Sequence, residues 1–179
     1  VTYSEPKIDL NQMRTWKNKV VTKLTGGLGV LTKKRKINFV QGRARFQSST
    51  SVQVERTDGT KQTITFDNCI LATGSRPVGP GNMKLASERV MDSTAALNIP
   101  DIPGSLLVVG GGYIGCELGS VYAALGSKVT VVEMLPQLLT GADRDLANVL
   151  VGQLEKRFHQ VLLKTKVVEM KEKGQKIVV

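Results

Sequence analysis

Residues 105–133 carry the feature that most constrains the fold, a glycine-rich turn between an apolar strand and a helix. The apolar run at residues 106–109 predicts a buried strand, and the helical face after the glycines ends near Leu125. A second apolar run at residues 129–133 predicts another strand. Strand, turn, helix and strand in this order form a right-handed βαβ unit, which is typical of an α/β fold.

The turn matches the dinucleotide-binding fingerprint G-x-G-x-x-G, with Gly110, Gly112 and Gly115 at the three glycine positions. Gly110 lets the chain leave the strand sharply, Gly112 keeps side chains away from a pyrophosphate, and Gly115 lets helix and strand approach closely. The phosphates would meet free N–H groups at the positive end of the helix. The loop residues predicted to contact a dinucleotide are Gly110, Gly111, Gly112, Tyr113, Ile114 and Gly115.

The second strand ends in an acidic residue, Glu133, which lies 23 positions after Gly110. A carboxylate at this place can accept hydrogen bonds from the hydroxyls of the adenosine ribose. No arginine follows it immediately, so a 2′-phosphate would meet uncompensated negative charge, and NAD is favoured over NADP. The alternative is a glycine turn that only packs tightly, and the combination of strands, helix and acid argues against it.

The sequence predicts two domains, residues 1–103 and residues 104–179. The first begins with a helix at residues 9–24, which Asp9 caps and which the glycines at positions 26, 27 and 29 break or end. Strands are predicted at residues 37–40, 44–46, 52–55, 63–66 and 69–72. Asp58-Gly59 predicts a hairpin turn between the third and fourth of these strands.

A connector rich in proline and glycine runs from Pro77 to Pro103, where the domain boundary is predicted. It includes Pro80, Gly81 and a short helix at residues 93–97. The second domain continues after the βαβ unit with further elements. They are a helix at residues 143–158, a strand at 161–163, and a hairpin of residues 167–170 and 176–179 that turns at Gly174.

Composition is that of a globular protein, with 41% hydrophobic and 22% charged residues in a chain of 179. No apolar run suits a membrane span and no leader pattern is present, so no membrane partner and a cytoplasmic location are predicted. The net charge of +10 would suit a nucleic acid, with the basic residues 33–36 as the densest point. Because the basic residues are scattered with few aromatics between them, a solvated helix end is favoured and no nucleic-acid partner is predicted.

Cys69 and Cys116 lie 47 positions apart, which is neither a metal-ligand spacing nor a disulfide framework. Both are predicted to be buried or half-buried thiols, and no metal site is predicted. His159, the only histidine, is predicted to be a surface residue. The first residue, Val1, and the last, Val179, are interpreted as cuts within a longer protein.

On these motifs the chain resembles the FAD-dependent pyridine nucleotide disulfide oxidoreductases, and within them the dihydrolipoamide dehydrogenases. The segments GGGYIGCELG at residues 110–119 and VVEM at residues 131–134 look like the NAD site of that family. The resemblance implies that Glu117 lies near the nicotinamide, although a carboxylate in the first helical turn is also explained by the helix dipole. It further implies that the backbone of Val167 lies near the adenine.

The first domain carries the FAD side of the resemblance. The segment ATGSRP at residues 72–77 is similar to the second flavin contact of the family, which implies FAD contacts at Thr73, Gly74 and Ser75. Residues 42–44 resemble a backbone contact to the adenine of the flavin, with Ala44 where the family often has glycine. The implied fold is an α/β chain with parts of two Rossmann-like three-layer domains and an antiparallel β-meander in the first.

The resemblance implies an enzyme that oxidises dihydrolipoamide and passes electrons through a redox disulfide and FAD to NAD. Its implied partners are dihydrolipoamide on the lipoyl domains of 2-oxoacid dehydrogenase complexes and a second subunit in a homodimer. Glutathione and mercuric reductases share these motifs, and the preference for NAD favours the lipoamide type. The redox cysteine pair and the catalytic His-Glu pair of the family are not matched in this chain, so cofactor contacts but no catalytic group are predicted.

Overall fold

A computed structural model describes residues 6–79 and 85–179. Residues 15–75 form one compact unit. The described residues before and after them form the other, which is called the second unit and contains the glycine loop. Pro80 and Gly81 of the connector lie outside the described residues.

The described residues form four helices and eight strands. In chain order they are α1 (Leu10–Lys34), β1 (Arg43–Ser48), β2 (Ser51–Glu55), β3 (Lys61–Thr65), α2 (Ser93–Leu97), β4 (Ser105–Val109), α3 (Tyr113–Ala124), β5 (Lys128–Val132), α4 (Arg144–Arg157), β6 (Gln160–Leu162), β7 (Lys171–Lys173) and β8 (Lys176–Val178).

Helix α1 begins where the sequence predicts but ends ten residues later than position 24. Asp9 caps it, since its Oδ1 accepts the N–H groups of Asn11 (2.8 Å) and Gln12 (3.0 Å). The predicted break at Gly26, Gly27 and Gly29 is wrong. Each helical glycine costs about 1 kcal/mol relative to alanine, and this is too little to end a helix whose hydrogen bonds continue on both sides.

The true end of α1 is a Schellman motif that contains no glycine. Lys36 takes the left-handed conformation, with φ of 54°. Its N–H donates to the carbonyl of Lys33 (3.0 Å), and the N–H of Ile37 donates to the carbonyl of Thr32 (3.0 Å). These two bonds satisfy carbonyls that the helix end would leave open. The basic cluster at residues 33–36 therefore lies at the carboxyl end of α1, as predicted, where cations interact favourably with the helix dipole.

The antiparallel meander is confirmed as a three-stranded sheet in the order β1-β2-β3. The turn at Asp58-Gly59 is also confirmed. Gly59 has φ of +81°, and Oδ1 of Asp58 accepts the N–H of Thr60 at 2.9 Å. The predicted strands at residues 37–40 and 69–72 are wrong, because neither segment pairs with a strand in the described residues and Ile70 is 92% exposed.

The second unit is built on a parallel sheet in the order β4-β5-β6. Helix α3 connects β4 to β5, and α4 connects β5 to β6, as the sequence predicts. The core between sheet and helices holds Tyr122, Val129, Val131, Leu154 and Phe158, all buried. The α/β fold class is therefore confirmed.

The connector belongs to this second unit, and hydrogen bonds join it to the residues around the parallel sheet. Helix α2 covers the predicted residues 93–97, and Asp92 caps it by accepting the N–H of Ala95 at 2.8 Å. The buried Tyr122 donates its hydroxyl to the carbonyl of Ala96 at 3.0 Å. Ser127 Oγ donates to the carbonyl of Pro103 at 2.6 Å. The last two of these bonds join the connector to α3 and to the residue before β5.

The predicted hairpin turn at Gly174 is confirmed, with φ of 61° and an antiparallel pair of β7 and β8. The first strand of that hairpin is wrongly placed by the sequence. It covers Lys171–Lys173 rather than residues 167–170, and Val167 is buried within the same unit instead of pairing in the hairpin. In the described part of the chain no helix is long and apolar enough to cross a membrane.

Candidate functional site

The glycine loop leaves β4 through a turn that only glycine adopts easily. Gly110 has φ of +107°, and its N–H donates to the carbonyl of Val132 at 2.9 Å, which continues the parallel ladder by one residue. A Cβ atom built on Gly115 would overlap the carbonyl oxygen of Gly110 and lie 3.0 Å from Cγ1 of Val108. Helix α3 and strand β4 are therefore as close as the sequence predicts, and they stay close because Gly115 has no side chain.

The loop is open on the side of Gly112. A Cβ atom built on Gly110 or Gly112 would meet no heavy atom within 4 Å. Gly112 is the N-cap of α3, and no side chain caps the helix there. The first backbone bond of the helix joins the N–H of Cys116 to the carbonyl of Gly112 (3.0 Å), so the preceding N–H groups have no acceptor within the helix. The positive end of α3 is thus available to an anion.

Tyr113 and Ile114 form the first turn of α3, and their side chains are 68% and 45% exposed. The side chain of Ile114 does not fill the space beside Gly112, because a Cβ atom built there would meet no heavy atom beyond the adjacent residues within 4 Å. A pyrophosphate could approach the backbone N–H groups on this open side of the turn.

Glu133 follows β5 directly and lies against the loop, half-buried. Its Oε2 accepts the N–H of Gly111 at 2.7 Å, and its Oε1 accepts the N–H of Leu135 at 2.8 Å. The acid therefore points toward the glycine loop. The arrangement brings together a negative charge and an exposed helix end that the sequence separates by some twenty positions.

Gly111 is buried, unlike the two glycines beside it. A Cβ atom at Gly111 would overlap Cδ2 of Leu138 and lie 3.2 Å from Cβ of Glu133. Its carbonyl accepts the N–H of Leu139 at 2.9 Å. The sequence did not identify Leu138 and Leu139; their only signal was an adjacent apolar pair in a stretch for which no helix or strand was predicted.

Glu117 is exposed and is the fifth residue of α3, so no acid lies in the first turn. The helix dipole, which acts mainly within the first turn, therefore explains less of this carboxylate than the sequence suggested. Glu117 and Glu133 both raise the pKa of the Cys116 thiol, but burial of that thiol is the largest cause. Cys116 is buried as predicted, whereas the prediction of burial for Cys69 is wrong, because Cys69 is exposed outside any strand.

Val167 is 7% exposed and lines a cavity of about 510 Å³ together with Leu107, Val132 and Leu162. The segment before it is tied to the acid, since the N–H of Thr165 donates to the backbone carbonyl of Glu133 at 2.9 Å. Val167 and Glu133 therefore belong to the same end of the parallel sheet. His159 is exposed, as predicted, and its backbone N–H donates to Val129 at 2.8 Å.

The residues predicted to contact FAD lie in the unit of residues 15–75. Ala44 is on β1, an edge strand of the meander, and pairs with Val54 of β2. Thr73, Gly74 and Ser75 are exposed and outside helices and strands, and Gly74 has φ of +70°. All four residues are exposed, so a ligand could reach them.

Comparison with known proteins gives a family match for almost the whole chain. The family described as pyridine nucleotide-disulphide oxidoreductase matches residues 2–179. Dihydrolipoyl dehydrogenase of Vibrio cholerae is 43% identical over 176 residues, which cover 97% of this chain and 37% of that protein. The protein of the same name from Haemophilus influenzae is 45% identical with the same coverage. The chain thus spans a little over a third of the length of these relatives.

Solved structures give the same fold. The crystal structure of LpdA from Mycobacterium tuberculosis matches with a TM-score of 0.84 at 22% sequence identity. The match covers 96% of this chain and 39% of that one. At this identity the likeness concerns the fold alone, and it agrees with the antiparallel and parallel sheets described above.

Proposed function

We propose, since the chain belongs to the pyridine nucleotide-disulphide oxidoreductase family, that it supplies part of the NAD site and part of the FAD site of a dihydrolipoyl dehydrogenase. The dihydrolipoyl dehydrogenases of this family use FAD and NAD. In this proposal the whole enzyme oxidises dihydrolipoamide, carried on lipoyl domains of 2-oxoacid dehydrogenase complexes, and works in the cytoplasm as a homodimer. Relatives at 43–45% identity support the activity.

The observation that carries the NAD assignment is the open backbone at Gly112, at the uncapped start of α3. The proposed contacts to the pyrophosphate are the N–H groups of the loop, and Glu133 is the proposed acceptor for the ribose hydroxyls. The residues assigned to NAD are Gly110, Gly111, Gly112, Tyr113, Ile114, Gly115, Glu117, Glu133 and Val167. Those assigned to FAD are Ala44, Thr73, Gly74 and Ser75.

FAD, when bound, would supply the relay that accepts two electrons from the reduced redox-cysteine pair, which returns to the disulfide, and passes them on as hydride to NAD. The residues of this chain have a simpler task in that reaction. The loop backbone holds the phosphates, and the negative charge of Glu133 opposes the 2′-phosphate of NADP. This preference for NAD supports the lipoamide type over glutathione and mercuric reductases.

The test is a titration of the protein with NADH, followed by fluorescence. In Gly112→Val the added side chain would stand between backbone and pyrophosphate, and we expect the affinity to fall at least about tenfold, which corresponds to about 1.4 kcal/mol. Gly104→Val is the matched control, because a Cβ atom there also meets nothing within 4 Å but lies at the other end of β4. Unchanged affinity in Gly112→Val would overturn the assignment.

A nucleic-acid-binding module is the second candidate, and the net charge of +10 is the observation in its favour. The position of residues 33–36 at the carboxyl end of α1 offers a local explanation for that charge, since cations are favourable there. Replacing these four residues with glutamine separates the candidates. Salt-dependent binding to duplex DNA that disappears in this variant would support the module and contradict our ranking.

A further inference from the structure

The backbone of Gly111 is held on both sides by the chain that follows β5. Its N–H donates to Oε2 of Glu133 (2.7 Å), and its carbonyl accepts the N–H of Leu139 (2.9 Å). The side chain of Leu138, which is 1% exposed, occupies the space where a Cβ atom of Gly111 would lie. Arg144 in turn donates to the carbonyl of Leu138 at 3.1 Å. Both backbone polar groups of Gly111 are therefore bound, and the space beside its Cα atom is filled by Leu138.

The carboxylate of Glu133 is equally fixed. Each of its oxygens accepts one backbone N–H, from Gly111 and from Leu135. Bonds of this kind, from an N–H to a charged oxygen, are roughly twice as strong as neutral ones. A carboxylate has about four lone-pair sites, so about two remain free for other donors.

From these contacts we propose that Glu133 is a positioning residue for the glycine loop, in addition to its assignment toward ribose. By holding the Gly111 peptide, the acid keeps Gly112 open and keeps the first N–H groups of α3 in one direction before any ligand arrives. What the loop binds rests on the proposed function. The positioning itself is a property of the free chain and is measurable without ligand.

The same geometry also contributes to the preference for NAD over NADP. An acid that can swing away could make room for a 2′-phosphate at little cost. Glu133 cannot do so without giving up two charge-assisted bonds, one of which also holds the loop. The protein therefore needs no further residue to discriminate against NADPH. Glu133 repels the 2′-phosphate, and its bonds to the N–H groups of Gly111 and Leu135 hold it in place.

The decisive measurement is amide hydrogen exchange at Gly111 and Leu135, followed by NMR in the absence of ligand. In Glu133→Gln the amide oxygen can accept only one of the two N–H groups, and the NH₂ group faces the other. We expect the exchange rate of at least one of these amides to rise about tenfold or more, as loss of a bond to a charged acceptor implies. Glu155→Gln is the matched control, since Glu155 is exposed on α4 and removes the same charge.

Unchanged exchange at both amides in Glu133→Gln would overturn the positioning role. If that variant fails to fold, Glu133→Asp replaces it. Aspartate keeps the charge but is one methylene shorter, so it cannot reach both N–H groups, and at least one of the two amides should again exchange faster. NADH titration of the unaltered protein tests the other assumption separately. Failure to bind NADH while Glu133→Gln accelerates exchange would refute the dinucleotide assignment and leave the positioning role standing.

Discussion

The unit that holds the glycine loop and the unit of residues 15–75 bury their apolar side chains to very different degrees. In the loop-bearing unit Tyr122, Val129 and Val131 are 0% exposed. Among residues 15–75, all of which the structure describes, Val54 is the one buried side chain. On α1 the side chains of Trp16 and Leu24 are 68% and 66% exposed.

The difference shows what a local sequence pattern can complete by itself. In the βαβ unit the helix packs on the two strands that it connects, so one stretch of sequence supplies both sides of the core. The apolar face of α1 predicts a helix equally well, but its periodicity does not supply a surface to cover that face. Amphipathic spacing therefore predicts an element, and only the connection between elements predicts a core.

The difference in burial between the two units is tested most strongly by removing the largest fully buried side chain, Tyr122. Tyr122→Ala should lower the free energy of unfolding by about 3–5 kcal/mol, because a large cavity forms and the hydrogen bond from the hydroxyl to the carbonyl of Ala96 is lost. Tyr113→Ala, an exposed tyrosine on the same helix, should change it by less than about 0.5 kcal/mol. Urea unfolding followed by circular dichroism measures both. If Trp16→Ala were as costly as Tyr122→Ala, the face of α1 would be buried in solution and the contrast would fail.

A smaller effect tests the close approach of α3 and β4. Gly115→Ala places a Cβ atom against the carbonyl oxygen of Gly110 and against Val108, which should destabilise the unit by about 1–3 kcal/mol. Gly112→Ala is the control, because the space there is open and φ is −75°. We expect its midpoint of thermal unfolding to stay near that of the unaltered chain. A tolerated Gly115→Ala would show that helix and strand can separate.

Replacing a glycine of α1 with alanine should raise the stability of the helix instead of lowering it. Gly26→Ala meets no heavy atom within 4 Å and replaces a flexible residue inside a helix, so it should stabilise α1 by about 0.5–1 kcal/mol. Gly59→Ala in the same unit should instead cost about 1–2 kcal/mol, since Gly59 has φ of +81°. Helical circular dichroism during thermal unfolding distinguishes the two. Destabilisation by Gly26→Ala would mean that the helix is interrupted there after all.

The smallest expected effect is a loss of stability at alkaline pH in the loop-bearing unit. Burial raises the pKa of the Cys116 thiol, with further contributions from Glu133 and Glu117. In the unfolded chain the thiol ionises at about pH 8.5, whereas in the folded unit it stays neutral to higher pH. Stability is therefore full below about pH 8.5 and declines as pH rises toward the raised pKa. Urea unfolding at several alkaline pH values should show a smaller decline in Cys116→Ala, and an identical decline would contradict this origin.

The sequence predicts those parts of the molecule that depend on neighbours close along the chain. The βαβ unit, the residues of α2 and the turns at Asp58-Gly59 and Gly174 are of this kind. The end of α1 escaped prediction because a lysine, rather than glycine, takes the left-handed position at Lys36. Strands at residues 37–40 and 69–72 were overpredicted because an apolar run does not show whether a pairing partner exists.

For the candidate site, the fingerprint glycines and Glu133 were identifiable, since their spacing along strand, turn and helix is regular. The contacts of Leu138 and Leu139 with Gly111 could not be identified from the sequence. They depend on how the chain folds back after β5, and no periodicity encodes that path. The ligand contacts of the site residues, including Ala44 and Thr73, stay predictions.

Trp16 gives the two units separate optical signals. It is the only tryptophan in the sequence and lies on α1 within residues 15–75, while no tyrosine falls in that range. Fluorescence excited selectively at tryptophan therefore reports on one unit, and tyrosine absorbance reports on residues outside it. If the two signals change at different urea concentrations, the chain does not unfold as a single cooperative body, and the stability of each unit becomes measurable in one sample.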